Sequence, residues 1–567
     1  MSKKEPRSTN SPNSQSRWPV AAGLILLAFA LFEIYGPALN GPFLYDDLYL
    51  PFLVPGFEAN PFSAWISGVR PVLMFTFWLN VHGLGMEPFH LHVVNLILHM
   101  AAGICVWLIA RKLVEHRILA LFCALVFLVH PLQTESVSYI ASRSEVLSGL
   151  FFLAGWTAFL YRPSAAIGIL HVIVVLTFYG LAVLSKEHAV VLGAVLLLTD
   201  YFFNPGFSVA GIRRNWKLYV GMLVAGIGPA FILLRTLRTA DSAGFNMTDL
   251  GVTDYLLTQS RTIWIYARLF FLPVHQNLDY DMPISRSLMD YGAGLCMLTW
   301  IILIAVAWKR RKEWRLAVFG FFLFLILLAP TSSILPIRDV IAERRMYLSV
   351  FALALCCADF LQRWKTSPTT LAVLTGIVSV SLMAATYQRN VLWGSAIALW
   401  SDTASKSPNK PRPRFQLAYA YYQEGQCAAA AREYAKVSQL EQPTDHLLID
   451  WALAADCAGQ SEVARARLEE ASKLKPSAHA YSLLGMVHGK ARRYEEALNA
   501  LAEAERLDPK FALTYTYRGN IYLEQGDPEN SLHAFQRALA IDPQIAPALQ
   551  GLRAAQDAKA RIDATRH

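Results

Sequence analysis

Residues 90–112 read HLHVVNLILHMAAGICVWLIARK, an apolar run of about 20 residues that ends in two adjacent basic residues. A bilayer crossing needs about 20 predominantly apolar residues, and basic residues collect in the cytoplasmic loops of membrane proteins. This stretch therefore has the length and the charged end that are typical of a transmembrane helix. The pattern recurs along the chain, and it predicts an integral membrane protein.

The first two thirds of the 567-residue chain alternate apolar runs with short polar loops. Only 16% of all residues are charged, compared with about 25% in soluble domains. The run at 18–36 has a basic start but no convincing small-x-small cleavage site, so we interpret it as an anchor and not as a signal peptide. The runs predict about eleven transmembrane helices, at 18–36, 90–110, 118–130, 146–161, 166–184, 188–203, 217–235, 291–308, 316–330, 346–361 and 369–387.

Alternate loops between these runs are basic. With the N-terminus in the cytoplasm, the cytoplasmic loops are those that contain Arg111 to Arg117, Arg162, Arg213 to Lys217, Lys309 to Arg315, and Arg363 with Lys365. This series satisfies the positive-inside rule, and the opposite orientation violates it. The formal net charge of +9 is therefore explained by membrane topology and does not indicate nucleic acid.

The last third of the chain is repetitive. Pro443, Pro476, Pro509 and Pro543 follow one another at intervals of 33, 33 and 34 residues. Small and large side chains recur between these prolines at the spacing of the 34-residue tetratricopeptide repeat. We expect about four helix-turn-helix units from 411 to 544, with a capping helix from Pro547 onward.

These patterns predict an all-α protein, in which a polytopic transmembrane bundle is followed by a soluble tetratricopeptide-repeat α-solenoid. The predicted segments are a disordered cytoplasmic tail (1–17), a transmembrane domain (18–392), a linker (393–410) and the repeat domain with its capping helix (411–567). An odd number of spans places the repeats outside the membrane.

Ionisable residues are concentrated in the predicted outer loops. Asp46 and Asp47 follow the first helix, and adjacent carboxylates can hold a divalent metal ion or supply a general base. The alternative is that the two residues belong to a solvated acidic loop and take no part in metal binding or catalysis. Aromatic and apolar flanks favour partial burial.

Several cations accompany these carboxylates. Arg143, Lys186, Arg344 and Arg345 stand near helix ends on the predicted outer side. Positively charged side chains can bind a phosphate leaving group and stabilise its negative charge in the transition state. Local ion pairs, lipid headgroup contacts and snorkelling anchors are the alternatives.

The joint pattern resembles a known family, the polytopic GT-C glycosyltransferases that use lipid-phosphate sugar donors. With the repeats, it is most similar to the transmembrane-and-tetratricopeptide-repeat O-mannosyltransferases and their bacterial relatives. This chain has fewer repeats than the animal proteins. The matching elements are Asp46-Asp47, Arg70-Pro71, Phe77, Asn80, His90, Asn95, His99, His130-Pro131, Thr134-Glu135-Ser136-Val137, Arg143-x-Glu145, Lys186-Glu187 and Glu343-Arg344-x-x-Tyr347-Leu348.

The resemblance implies roles for specific residues. Asp46 and Asp47 are the candidate catalytic pair, one as base and the other positioning it, with a divalent metal possible there and no other metal motif. Arg143, Lys186, Arg344 and Arg345 are the candidates for holding the donor phosphate. Other site candidates are Arg70, His130, Glu135, Glu145, Glu187 and Glu343.

The expected activity is transfer of a sugar from a polyprenyl-phosphate donor to an acceptor, a protein hydroxyl in the first instance. It takes place outside the cytoplasmic membrane, with the repeats on the periplasmic or lumen-equivalent side, where they bind acceptor or partner protein. The alternatives are a non-enzymatic scaffold whose repeats recruit envelope-assembly proteins, and a transporter. A transporter should carry charges at helix centres, whereas here they cluster at one end.

Two of the seven cysteines lie in the repeats. Cys427 is predicted near the start of one helix and Cys457 near the end of the next, so the two are expected to be neighbours. A disulfide is possible in an oxidising compartment, and packing as small core residues is the alternative. The other five, Cys105, Cys123, Cys296, Cys356 and Cys357, lie in apolar runs and are expected to be inert.

Overall fold

The computed structural model describes residues 18–238, 243–364 and 366–566. Within these ranges the regular elements are helices, with one isolated bridge between Ala243 and Ile337. The all-helical fold class is therefore confirmed. The predicted N-terminal tail, 1–17, lies outside the described residues. The chain divides into two compact units between Ser395 and Ala396.

The first unit contains the apolar helices. Its described α-helices are α1 (Trp18–Leu39), α2 (Phe62–Trp65), α3 (Pro71–Leu84), α4 (Pro88–Leu113), α5 (Arg117–Val129), α6 (Thr134–Val137), α7 (Arg143–Leu160), α8 (Ile169–Ser185), α9 (Leu192–Phe203), α10 (Ala210–Arg214), α11 (Trp216–Leu237), α12 (Val252–Phe271), α13 (Ala293–Arg310), α14 (Arg315–Leu328), α15 (Ser349–Arg363) and α16 (Pro368–Trp393).

Four segments in the described residues are long and apolar enough to cross a membrane. They are Ala22–Leu39, Pro88–Leu113, Asp290–Arg310 and Pro368–Trp393. A fifth arises if Arg117–Val129 and Pro131–Val137, which meet at 48°, form one broken span. Four shorter apolar helices accompany them, so the predicted count of eleven is not confirmed and stays a prediction.

Two helices of 14 residues or more lie where the sequence predicts only loops. One is α3, which has 14 residues and is shorter than a membrane crossing. The other is α12, whose buried residues include the polar Thr258, Gln259 and Thr262. A search for apolar runs misses both, because the first is too short and the second buries hydroxyl and amide groups.

Helix α7 lies at the centre of the first unit and packs against α4 and α8. Gly149 of α7 permits a close approach, because a Cβ there would lie 2.5 Å from the ring of Tyr347. The Tyr347 hydroxyl is hydrogen-bonded to Nδ1 of His99 on α4, at 3.1 Å. This packing fixes the segment around Glu343–Met346, which contributes to the site described below.

The second unit contains the repeat helices, and its regular pairing agrees with the prediction. A helix, α17 (Ala396–Lys406), lies in the segment treated above as a linker. Four helix pairs and a last helix follow: α18 (Pro411–Gln423), α19 (Cys427–Leu440), α20 (Asp445–Cys457), α21 (Ser461–Leu474), α22 (Ala478–Lys490), α23 (Tyr494–Leu507), α24 (Ala512–Glu524), α25 (Pro528–Ile541) and α26 (Ala546–Arg566).

Cys427 begins α19 and Cys457 ends α20, as expected from the repeat register. Their Cα atoms lie 5.6 Å apart and the structure joins them in a disulfide. That separation is within the usual range for a bridge. The bond connects the first two repeats and leaves the other five cysteines free.

We expect non-reducing peptide mapping of the full-length protein, isolated under oxidising conditions, to recover a disulfide-linked pair of peptides that contains both cysteines. The bridge spans 30 residues, so Cys427→Ala should lower the stability of the repeats by roughly 3–4 kcal/mol in the chain-entropy model. Cys296→Ala is the matched control, because that thiol is free. Two alkylatable thiols at 427 and 457 in the oxidised protein would contradict this prediction.

Candidate active site

The acidic pair lies on a short 3-10 helix, Tyr45–Tyr49, directly after the first apolar helix. Asp47 is buried, and both of its carboxylate oxygens accept backbone hydrogen bonds. The N–H of Leu44 donates to Oδ2 at 3.0 Å, and the N–H of Ala141 donates to Oδ1 at 2.6 Å. Asp47 therefore attaches this loop to the segment that precedes α7.

Asp46 has the opposite environment. Its side chain is exposed, and its backbone N–H donates to the Tyr139 hydroxyl at 2.8 Å. No described residue donates a hydrogen bond to the Asp46 carboxylate. Of the two candidates, Asp46 is therefore the one free to accept a proton from a substrate, and Asp47 is the one that holds the loop.

Burial raises the pKa of Asp47 to about 7, although the Leu44 and Ala141 N–H groups favour the charged form. The neighbouring Asp46 carboxylate raises this pKa further. The Asp47 carboxyl is consequently half-protonated near neutral pH. Its ability to accept both backbone hydrogen bonds thus changes in the physiological range.

Arg344 shares a neighbour with the acidic pair, the phenol of Tyr139. Its Nη1 donates to Oε1 of the buried Glu135, and its backbone N–H donates to Oε2 at 3.1 Å. The Tyr139 phenol interacts electrostatically with Asp46, Asp47 and Arg344, and so lies among all three. The Arg344 side chain as a whole is 26% exposed.

A second group of charges surrounds Glu145 at the start of α7. Lys186 Nζ lies 2.5 Å from Glu145 Oε1, and His188 Nε2 lies 3.3 Å from Oε2. Nearby, Arg70 makes a two-point contact with Glu187, at 3.0 and 3.1 Å. Glu145 therefore holds Lys186 in place, and Glu187 holds Arg70.

The charges around Glu145 interact electrostatically with Arg344. Burial lowers the pKa of Lys186, Glu145 opposes this, and the positive charges of Arg70 and Arg344 lower it further. A cavity beside them is lined by Glu145, His188, Thr331, Arg345 and Tyr347, together with apolar side chains. The predicted residues Arg70, Lys186, Glu187, Glu145, Glu135 and Arg344 thus lie in one charged region.

Arg345 and Glu343 hold the loops that border this region. Arg345 donates to the backbone carbonyls of Thr331, Val340 and Asp339. The buried Glu343 carboxylate accepts from Gln276 Nε2 (2.7 Å), the Asn277 N–H (2.6 Å) and the Tyr280 hydroxyl (2.6 Å). Both are therefore structural anchors, although Arg345 also borders the cavity.

Arg143 is fully buried and does not reach an accessible surface. Its guanidinium donates to Asn95 Oδ1 (2.7 Å), Asn80 Oδ1 (3.0 Å) and the Leu91 carbonyl (2.9 Å). It also lies 4.3 Å from the centre of the Phe77 ring. This geometry does not support a contact with a donor phosphate, because the group is used to join α3, α4 and α7.

His130 is also enclosed. It stacks on Phe270 with ring centres 5.2 Å apart, its Nε2 is hydrogen-bonded to the Phe270 carbonyl, and its Nδ1 accepts from the Leu132 N–H. The structure thus leaves His130 outside the charged region. The residues that sequence reasoning did not select are Tyr139 and His188, which lie within it.

The acidic pair does not fit a metal site. Among the described residues no group of three or more His, Cys, Asp or Glu side chains is arranged to hold a metal ion. Asp47 is buried, which leaves Asp46 as the one exposed carboxylate of the pair.

The chain is similar to proteins from animals along most of its length. It is 26% identical over 461 residues to "Protein O-mannosyl-transferase F38B6.6" of Caenorhabditis elegans, covering 76% of this chain and 64% of that protein. It is 22% identical over 530 residues to human "Protein O-mannosyl-transferase TMTC3", covering 83% and 57%. The chain thus spans about three fifths of the length of these relatives.

The repeats match a family model described as tetratricopeptide repeat, at residues 449–510 and 482–545. Among solved structures, the repeat protein YrrB aligns with 18% identity and a TM-score of 0.25, over 32% of this chain and 91% of that chain. The curated relatives and the repeat family model together confirm the resemblance to the transmembrane-and-tetratricopeptide-repeat proteins.

Proposed function

We propose that this chain is a membrane glycosyltransferase that moves a sugar from a polyprenyl-phosphate donor to a hydroxyl group of an acceptor protein. The observation that carries the proposal is the exposed Asp46 carboxylate, held beside Tyr139 and the charged region that contains Arg344 and Lys186. Curated relatives that align with most of this chain are named protein O-mannosyl-transferases, which supports the reaction class.

The proposed reaction is an inverting displacement. The acceptor hydroxyl oxygen attacks the anomeric carbon, and the bond between that carbon and the phosphate oxygen breaks with its electron pair leaving on the phosphate. Asp46 takes the hydroxyl proton as general base. The products are the glycosylated acceptor and polyprenyl phosphate.

The leaving phosphate gains negative charge in this step, and the cations of the region compensate for it. Arg344 and Lys186 are the best placed, because their carboxylate partners fix them before substrate binds. Preorganised charges of this kind stabilise a transition state without further reorganisation. Glu135 and Glu145 thus act by positioning the cations.

The reaction class is tested by the masses of cell-surface proteins from cells with and without the gene. We expect loss of a hexose-sized or pentose-sized increment, restored by the wild-type gene and not by Asp46→Asn. A non-enzymatic scaffold predicts the opposite result. Because Asp46→Asn keeps the fold, a scaffold carrying this substitution would restore the mass increment as well as the wild-type gene does. An unchanged set of masses would contradict the proposal.

We further propose that the reaction occurs on the outer side of the cytoplasmic membrane, where the repeats also lie. The basic loop series supports this orientation. Reporter fusions at residues 312 and 560 should report opposite sides, with 312 in the cytoplasm. Both reporters on one side would show that the orientation or the number of spans is wrong.

A further inference from the structure

A polar cavity lies between the C-terminal ends of α4, α7 and α9, and the proposed reaction does not use it. The Glu145 cluster lies at the other end of α7 and at the loop before α9. Helix α4 is long and apolar enough to cross a membrane and contributes Lys112 and Leu113, at its C-terminal end, to the cavity. Helix α7, which packs against α4, has 18 residues and is about 27 Å long. The cavity is consequently at the opposite membrane face, the cytoplasmic one in the orientation proposed above.

The cavity has a volume of about 360 Å³, much larger than the roughly 30 Å³ occupied by one water. Leu113, Leu160 and Phe203 form its apolar wall. Its polar lining consists of Lys112, Arg162, Ser164, Thr199, Asp200 and Asn204. This combination of one apolar wall and a polar lining suits an amphiphile at the bilayer boundary.

The single carboxylate of the lining has no capacity left for a ligand. Asp200 is buried, and its Oδ1 accepts from Arg162 (3.1 Å) and Asn204 (3.0 Å). Its Oδ2 accepts from Asn215 (2.7 Å) and the Tyr219 hydroxyl (2.6 Å). Four donors therefore satisfy the carboxylate, and Arg162 balances its charge.

Lys112 is then the uncompensated charge of the lining. Its ammonium lies 4.5 Å from the centre of the Tyr161 ring, and no carboxylate of a described residue lies within 4.0 Å of it. The cavity therefore presents a net positive, partly apolar surface.

We infer that this cavity binds the phosphate headgroup of an anionic phospholipid of the inner leaflet, with Lys112 contacting the phosphate. Basic pockets between transmembrane helices on the cytoplasmic side are suited to such headgroups. The inference depends on the membrane position of the helices and not on the glycosyltransferase activity.

The test uses full-length protein in nanodiscs of phosphatidylcholine, titrated with phosphatidylglycerol and followed by native mass spectrometry. We expect Lys112→Gln to weaken retention of phosphatidylglycerol about tenfold, since a charge-assisted contact contributes roughly 1.4 kcal/mol or more. Lys312→Gln is the matched control, an exposed lysine outside the cavity whose loss should leave retention unchanged.

Three results would overturn the inference. The first is equal retention by wild type and Lys112→Gln, and the second is equal retention of phosphatidylcholine and phosphatidylglycerol. The third is displacement of phosphatidylglycerol by inorganic phosphate at the same concentration, which would identify a free anion as the ligand. Because Lys112 is exposed, the Gln variant should fold, and thermal unfolding of both variants checks this.

Discussion

Asp46→Asn is expected to lower the turnover number by about 10²- to 10⁴-fold while the protein keeps its fold, because the substitution removes a general base. Asparagine has nearly the same shape, and the Asp46 side chain is exposed and makes no hydrogen bond to a described residue. The backbone N–H that donates to Tyr139 is unaffected. The measurement is transfer from a polyprenyl-phosphate sugar by the purified full-length protein.

Asp47→Asn should behave differently, because both oxygens of Asp47 accept N–H groups. An amide has only one oxygen, so its NH₂ group would face one of these donors. The loop that holds Asp46 is then less well fixed. We expect a smaller loss of turnover than in Asp46→Asn.

The pH dependence distinguishes the two roles. Burial raises the pKa of Asp47 to about 7, so protonation below that pH removes an acceptor and loosens the loop. Wild-type turnover should therefore fall as the pH decreases through about 7, and Asp47→Asn should lack this step. If both single variants turn over at the wild-type rate at every pH, the pair has no part in catalysis.

The repeat architecture could be predicted from the sequence because its signal is local. Prolines recur every 33 or 34 residues, and small residues stand where helices approach closely. Gly485 shows why, since a Cβ there would lie 2.6 Å from Leu501. Each unit contacts its neighbours in sequence, so that periodicity alone specifies the packing.

The site was only partly predictable, because its contacts join distant parts of the chain. Nothing in the pair Asp46-Asp47 indicates which carboxylate is buried. That choice depends on the N–H of Ala141, 94 residues away, which is a backbone group and carries no residue signature. His188 carries no signal of its own in the sequence, because its proximity to Glu145 arises only when α7 and α8 pack.

The cations show the same limit. Arg143 and Arg344 look equivalent in the sequence, as basic residues at helix ends beside acidic ones. In the structure Arg143 is surrounded by Asn80, Asn95 and a carbonyl, whereas Arg344 pairs with Glu135 and keeps an exposed edge. The burial of each arginine side chain determines whether it stabilises the fold or can contact a ligand. For Arg143, burial results from the packing of α3, α4 and α7.

This difference predicts distinguishable results for Arg344→Gln and Arg143→Gln. Arg344→Gln should raise the KM for the lipid donor roughly tenfold or more, because it removes one charge-assisted contact with phosphate, and it should also lower stability, because the buried Glu135 loses its cationic partner. Arg143→Gln should destabilise the protein by roughly 3 kcal/mol or more, because buried Asn80 and Asn95 oxygens lose their donors. Donor titration and thermal unfolding of both variants provide the comparison.

A matching rise in donor KM for a stably folded Arg143→Gln would show that this arginine reaches the phosphate after all. An unchanged KM in Arg344→Gln would show that Arg344 serves only to neutralise Glu135.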